Sequence, residues 1–600
     1  MGMQVSIISM ANSTASPVPD TLKNAVIRLA GYSQDGIQSV GGFLAQLAGS
    51  TAKEVMTYMT IPATISGGAS IFQVHLGSGE VLHPGDDADM LVAFYQDSYD
   101  AHLASLRDGG VCFYDSDQVD EIKEERGIRH IGVPFTSATI EALGGSAKNR
   151  GKNIFVLGLL CAVYELDREK MSGIIAKKFG GKSEGVLRNA MLAFDAGYAW
   201  PVTSIAHMPM APGESKGKKR ISADGNTMIA LGLIAGGCRY GAAYPITPWT
   251  SIMEILRSEF PKYGGSFIQC EDELAAVCMA IGMSYSGHLA VTGSSGPGLA
   301  LKSEALGYAS MAELPLVVVN VQRGGPSTGL PTSVEQSDLM QAIYGSHGDA
   351  PRVVLAPRSV KDCFYTALRA CRIAREYSTP VIILSDQSIA TRIEAFTQPD
   401  LEKWWEEPVL DTAERDEDFK PYPLDKLTRH SPPGSPSKAG KYPVVTGLEH
   451  DEWGHPSGNP QNHAAMTAKR REKLVQLSHS LPPPSFHGDT DGDLLFVGWG
   501  STYGPVKEAT ERLRQKGHKV GCMHIRNIHP LRAGLGDIFG RYRHVLVPEM
   551  NDSGVYGYGQ LATLLRAKLC DPRIQSLNKV EGLGFRVVEL VDEAEKILAV

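Results

Sequence analysis

Cysteine is scarce in this chain: 9 in 600 residues, an odd number at long spacings, with no Cys-x-x-Cys anywhere. That excludes a disulfide framework, a zinc ribbon and a run able to hold an iron–sulfur cluster. Mostly buried thiols in a reducing cytoplasm are the expectation. Long apolar runs are also missing. The longest, Ile154–Val163 and Leu314–Val321, have the length of buried elements, well short of the about 18 residues a membrane span needs. The N-terminus lacks a basic region followed by an apolar stretch, so a secretory leader is not expected. Positive charge is not in excess: 58 Lys+Arg against 66 Asp+Glu give a net charge of −8. General nucleic-acid or anionic-membrane binding has no electrostatic footprint here. With 43% hydrophobic and 21% charged residues, the bulk of the chain has a globular composition and disorder is excluded.

Glycine and proline are generous, 64 and 35, which suits many strand-to-helix loops. The length predicts about three to five domains. Residues 1–20 are polar with two prolines and read as a flexible N-terminus. Ala25–Ala30 reads as a strand, running into Gly31–Gly36 and then a helical pattern through Leu47, a strand–glycine loop–helix opening. Met90–Tyr95 and Gly110–Tyr114 read as strands, Lys152–Glu165 and Ser183–Tyr198 as helices, completing a first α/β domain over 21–210. The charged, aperiodic stretch 211–225 reads as a linker. A second α/β block, 226–400, has strands at Ser266–Cys270, Leu289–Thr292, Leu316–Val321, Val353–Leu355 and Val381–Ser385. Strand alternating with helix argues for a parallel sheet covered on both faces. Residues 401–490, rich in loop chemistry, read as an extended connecting segment. A third α/β block, 491–600, has strands at Leu494–Gly498, Lys519–His524 and His544–Pro548, with helices Val506–Lys516 and Gln560–Leu569. The fold class is α/β in three domains, with no internal repeat.

Five constellations carry chemistry. Glycines at Gly31–Gly36 let backbone N–H groups approach a phosphate at a helix N-terminus. The loop lacks the Gly-Lys-[Ser/Thr] of a Walker A, and a tight turn explains it equally well. A second loop, Thr60–Ser70, presents Ser66, Gly67 and Gly68. Two such loops in one domain favour a nucleotide-like anion such as coenzyme A. In Tyr244-Pro245-Ile246-Thr247-Pro248, two prolines fix the chain around a threonine whose hydroxyl suits a carboxylate, or simply caps the next helix. Glu271, Asp272 and Glu273 open a helix running through Met283. Acids there are routine dipole complements, but Leu274, Val277 and Ile281 define a buried stripe that Glu273 borders, so its carboxylate is expected to be partly desolvated and fit for proton traffic. Strand His288–Thr292 runs into Gly293-Ser-Ser-Gly-Pro-Gly298, where Ser295 and Gly296 could hug a cofactor or merely make a connection. Strand Leu316–Val321 leads to Arg323 and then Gly324-Gly-Pro-Ser327-Thr328-Gly329. An arginine at the carboxyl end of such a strand sits where open α/β sheets bind ligands, and its fork matches a carboxylate.

In that order and spacing, YPITP, EDE-L-A-A, TGSSGPG and NVQRGGPSTGLPT resemble the alpha subunit of the 2-oxoacid:ferredoxin oxidoreductases. The first domain resembles that family's gamma unit fused in front, and the last block its transketolase C-terminal-like domain. TGLEHDEWGHP with the later KRREKL resembles the family's connecting stretch. RGGPSTGLPT is closer to the 2-oxoglutarate and branched-chain types than to the pyruvate type.

The resemblance implies that the central domain is a parallel-sheet, pyrimidine-binding thiamine fold. Thiamine diphosphate would be shared with a beta subunit that carries the Mg²⁺/diphosphate site and a [4Fe–4S] cluster, leaving no metal on this chain. Glu273 would be the catalytic carboxylate against the aminopyrimidine. Tyr244, Pro245, Ile246, Ser295 and Gly296 would line the cofactor. Thr247, Arg323, Ser327 and Thr328 would bind the 2-oxoacid, and Gly36, Ser66 and Gly67 coenzyme A. The implied reaction is coenzyme-A-dependent oxidative decarboxylation of 2-oxoglutarate to succinyl-CoA and CO₂, with electrons to ferredoxin, reversible as carboxylation, in a cytoplasmic dimer of heterodimers. Branched-chain substrates and a non-catalytic assembly role are the alternatives.

Overall fold

The computed structural model describes residues 7–8, 21–60, 68–145, 151–202, 205–214, 217, 219–410, 419–433, 435 and 444–599. The expected coenzyme A residues Ser66 and Gly67 lie outside them. Two compact units are present: Met1–Ala223 with Arg392–Gln398, and Asp224–Thr391 with Pro399–Val600.

The first unit is built on a nine-stranded sheet. At its centre Asn24–Tyr32 pairs parallel with Ala88–Ala93 and antiparallel with Ala69–Gly77. Leu106–Asp115 and Arg129–Val133 continue the parallel side. Within the stretch expected to be flexible, Ile7–Ile8 pairs with Arg129–Val133 as a short edge strand. On the other side come Glu54–Met59, Ile393–Thr397 and Arg220–Asp224. The stretch read as a linker therefore contains a strand. Arg220 fixes it by an ion pair to Glu54 at 2.8 Å, and the Ser222 hydroxyl donates to the Ala45 carbonyl at 2.9 Å. Every residue of helix Lys152–Val163 from Ile154 onward is buried. Such all-round apolarity marks a helix enclosed by the core. It crosses Glu184–Tyr198 closely: a Cβ at Gly197 would stand 1.9 Å from the Phe155 carbonyl oxygen.

The second unit carries two sheets. The seven-stranded one runs Ser266–Gln269, Tyr240–Ala243, Ala290–Ser294, Leu316–Gln322, Pro380–Asp386, Val353–Leu355 and Asn527–His529. All but the last are parallel. Leu316–Gln322 is buried along its whole length, as a strand covered on both faces must be. The five-stranded sheet runs Ser485–Gly488, Val520–His524, Gly492–Gly498, Tyr542–Glu549 and Ile574–Asn578. The two share one core, in which Val277, Leu306 and Leu316 belong to the same buried cluster as Leu495, Val545 and Leu561.

The connecting segment expected to be extended contains a 21-residue helix, Pro460–Ser480, with Asn459 capping it through a 3.0 Å bond from the Asn462 N–H. Its buried face includes Lys469, Arg470 and Lys473 beside Met466, Leu474 and Leu477. Arg470 pairs with Glu449 at 2.9 Å, and Glu313 accounts for the two lysines. Its carboxylate accepts from the Lys469 ammonium at 2.7 and 2.9 Å and pairs with Lys473. Burial alone would push that carboxyl up, and the two ammonium groups overcome it and hold it at about 2. Among the described residues no helix is long and apolar enough to cross a membrane.

Candidate active site

Because their strands run parallel in register, the loops after Tyr240–Ala243, Ser266–Gln269, Ala290–Ser294 and Leu316–Gln322 leave the same sheet edge. That is the edge at which open α/β sheets hold ligands. Four of the five sequence constellations meet there.

Helix Glu273–Tyr285 starts at Asp272, whose side chain accepts from the Ala275 N–H at 2.7 Å. Glu273 is the first helical residue and only 7% exposed. The Ser294 hydroxyl donates to its Oε1 at 3.3 Å, and the Lys302 ammonium to its backbone carbonyl at 3.5 Å. Lys302 is fully buried, and burial pulls its amine down to about 8 against the opposing pull of Glu273. Gly298 leaves the room: a Cβ there would lie 1.9 Å from Ser294 Oγ and 2.6 Å from Glu273 Oε1. The buried stripe differs from expectation in one place. Val277 and Ile281 are buried, but Leu274 is 52% exposed. The helix turns its Glu273, Ala276, Val277, Ala280 side inward, and this leaves Leu274 and Cys278, one turn apart, facing out with Met279.

Arg323 ends its strand 6% exposed. One guanidinium N–H donates to the Thr247 carbonyl at 2.7 Å, and its Nε is buried without a partner. Burial lowers its pKa from the ordinary arginine value while the Asp338 carboxylate opposes this. Thr247 and Arg323 are thus adjacent, joined through the backbone with the threonine side chain toward solvent. Tyr244 is exposed, and Pro245 and Ile246 are half-buried. Ser327 and Thr328 are exposed on a loop closed by the Leu330 N–H bond to the Gly324 carbonyl at 2.9 Å. Ser327 takes a left-handed φ of 57°, a conformation that non-glycine residues adopt where surrounding structure imposes it. Ser295 Oγ is buried with no hydrogen-bond partner. Gly296 faces Asp338: a Cβ there would be 3.0 Å from both carboxylate oxygens.

Sequence reasoning missed Asp338, Asn320 and Lys302. Asn320 donates to Asp338 at 2.8 Å, and Gln322 accepts from the Asp338 N–H at 3.2 Å. Burial pushes the Asp338 carboxyl up. A signal for Asn320 and Gln322 was available. They are polar, two apart in an otherwise apolar strand, and a buried polar pair is the informative exception in such a run.

In the first unit, Gly31 and Tyr32 belong to the strand, so the expected glycine loop is only the Ser33–Asp35 turn and Gly36. Gly36 has φ 73°, and a Cβ there would stand 2.6 Å from Asn153 Nδ2. Around it at the strand ends, the Tyr32 and Tyr95 rings lie 4.8 Å apart at a tilt of 39°, the Tyr95 hydroxyl donates to Asp35 at 2.8 Å, and Lys152 lies 3.5 Å from Asp115.

Three family descriptions match the chain. "Pyruvate flavodoxin/ferredoxin oxidoreductase, thiamine diP-bdg" matches residues 231–469. "Pyruvate ferredoxin/flavodoxin oxidoreductase" matches 26–200, and "Pyruvate:ferredoxin oxidoreductase core domain II" 492–592. The 2-oxoglutarate oxidoreductase subunit KorA of Mycobacterium tuberculosis is 38% identical over 96% of this chain and 92% of that protein. The 2-oxoglutarate synthase subunit KorA of Methanocaldococcus jannaschii is 37% identical over 55% of this chain and 88% of its own length. A solved 2-oxoglutarate:ferredoxin oxidoreductase from Magnetococcus marinus, with 2-oxoglutarate, coenzyme A and succinyl-CoA bound, superposes with a TM-score of 0.88 at 34% identity, over 96% of this chain and 100% of that one. The chain belongs to the 2-oxoacid:ferredoxin oxidoreductase family, among its alpha subunits.

Proposed function

We propose that this chain is the alpha subunit of a 2-oxoglutarate:ferredoxin oxidoreductase of the cytoplasm. The reaction converts 2-oxoglutarate and coenzyme A to succinyl-CoA and CO₂, passes electrons to ferredoxin, and runs in reverse as a carboxylation. The observation that carries the reading is the buried Glu273 carboxylate at a helix N-terminus, in a cradle that only a glycine at 298 leaves open. A thiamine aminopyrimidine fits this wall, since the carboxylate has a fixed oxygen on Ser294 and the adjoining Ser295 hydroxyl lacks a partner. When bound, thiamine diphosphate supplies the electron sink for decarboxylation.

Glu273 holds and shares a proton at the pyrimidine ring. Lys302 and Ser294 keep it in place. Tyr244, Pro245, Ile246, Ser295 and Gly296 shape the wall. Thr247 and Arg323 orient the 2-oxoacid carboxylate through the threonine hydroxyl and the free guanidinium N–H groups, while Ser327 and Thr328 receive the distal carboxylate. Gly36, Ser66 and Gly67 bind coenzyme A. The outward apolar side of the Glu273 helix, with Leu274 half-exposed, is where a beta subunit completes the cleft and excludes water. That subunit brings Mg²⁺ and the [4Fe–4S] cluster, in a dimer of heterodimers.

The test is the reconstituted pair, assayed for coenzyme-A-dependent dye reduction with 2-oxoglutarate, pyruvate and 2-oxoisovalerate. Turnover is expected with 2-oxoglutarate foremost. Glu273→Gln lowers it by about 10²–10⁴, the ordinary worth of a general acid–base group. Undiminished turnover in that variant, or preference for another 2-oxoacid, overturns the reading.

A further inference from the structure

The second unit has a cavity of about 780 Å³ that none of the roles above uses. Its wall is assembled from four places in the chain: the stretch after helix Leu339–Tyr344, helix Pro460–Ser480, the loop after strand Asn527–His529, and helix Gln560–Leu569. None of the residues of the Glu273 cradle or of the Gly324–Leu330 loop lines it.

Its charge is unlike that of the chain. On a protein of net charge −8, three fixed cations line this wall, Arg352, Arg471 and Lys568, against one acid, Asp349. Among the described residues none of the three has an ion pair. Arg352 is the decisive one. It is 1% exposed, its Nε donates to the Ala350 carbonyl at 3.4 Å, and another N–H donates to the Ser346 hydroxyl. Burial drops its guanidinium to about 10 with no neighbouring charge to compensate. A desolvated cation kept without an acid partner is costly unless an anion arrives to pair with it. The rest of the wall mixes apolar side chains, Leu474, Val475, Leu531 and Leu564, with polar ones such as Thr467, Ser478 and His479, and the Tyr344 ring is 63% exposed.

We infer that this cavity binds an organic phosphate of nucleotide size, with the phosphates on the exposed Arg471 and Lys568, drawn by the uncompensated charge of Arg352 buried in the wall behind them, and the base or other apolar body against Leu474, Val475 and Tyr344. Guanidinium forks match phosphate oxygens. The volume falls in the range of about 300–1,000 Å³ that encloses a whole small ligand, several times what a bare phosphate fills.

The test is equilibrium dialysis of radiolabelled ADP against the 600-residue chain. Saturable binding is expected with a Kd below about 1 mM. Arg471→Gln with Lys568→Gln, two exposed positions whose change leaves the core intact, weakens it at least about tenfold. Inorganic phosphate competes only weakly. ADP bound equally well by the double variant sits elsewhere and overturns the inference. So does the absence of saturable binding, and so does inorganic phosphate that displaces ADP at equal concentration.

Discussion

The Glu273 carboxylate depends on a missing atom. Gly298 is not in a left-handed conformation, so backbone freedom does not require it. Space does, because the Cβ of any other residue would stand inside the contact distance of both Ser294 Oγ and Glu273 Oε1. Gly298→Ala is expected to leave the fold and its thermal midpoint nearly unchanged while turnover drops about 10²-fold, the effect that displacing Glu273 by an ångström has under the role proposed for it. Adding Ser294→Ala removes the closer clash but not the one with the carboxylate, so the double variant recovers only part of the loss. Wild-type turnover in Gly298→Ala alone would refute the cradle. At this scale the sequence was half legible. Glu273 stands in a helix-opening acid cluster and Arg323 at a strand end, and both are recognisable from local pattern. Asp338 is not, because what makes it part of the wall is Asn320, eighteen positions earlier on a strand that only the fold brings alongside. Leu274 shows the complementary error. Apolar residues at helical spacing suggest a buried stripe, but one on the far side of the helix reads the same in one dimension.

At the scale of elements, strands and helices with apolar faces were readable almost to the residue, as Gln560–Leu569 and Val353–Leu355 show. Helix Pro460–Ser480 was hidden because its inward face is partly cationic and its period is invisible to a hydrophobicity reading. That face is what makes it informative energetically. Glu313→Gln leaves two ammonium groups buried without their counter-ion, and is expected to lower the unfolding free energy by about 3–5 kcal/mol in urea titrations at neutral pH. The pH dependence has a definite sign. A carboxyl depressed in the folded state stabilises above its unfolded value of 4.5, and that contribution is lost as pH falls toward its folded value of about 2,. The wild-type advantage over Glu313→Gln should shrink steadily through that interval. An advantage independent of pH would mean that shape, not charge, fixes the pair.

For the whole molecule, neither unit is a single continuous stretch of chain. Residues 392–398 belong to the first unit although the second surrounds them in sequence. Strand Ile393–Thr397 sits between Glu54–Met59 and Arg220–Asp224 in the nine-stranded sheet. A fragment beginning at Asp224 therefore carries a strand deprived of both neighbours, an edge prone to self-association. It is expected to aggregate by light scattering, and replacing 392–398 by a glycine–serine linker should return it to a monodisperse form. Equal solubility of the two fragments would show that the strand does not need its partners.

The same arrangement sets a timetable for synthesis. When the ribosome has finished residue 223, the first sheet still lacks the strand that joins its last member to the rest, and about 170 further residues must be translated before that strand emerges,. Until then Arg220–Asp224 has no sheet neighbour and Glu54–Met59 is an open margin. The nascent N-terminal unit is thus obliged to wait, unsealed, for a piece of chain made after most of the thiamine-type sheet, and the two units mature together rather than one after the other.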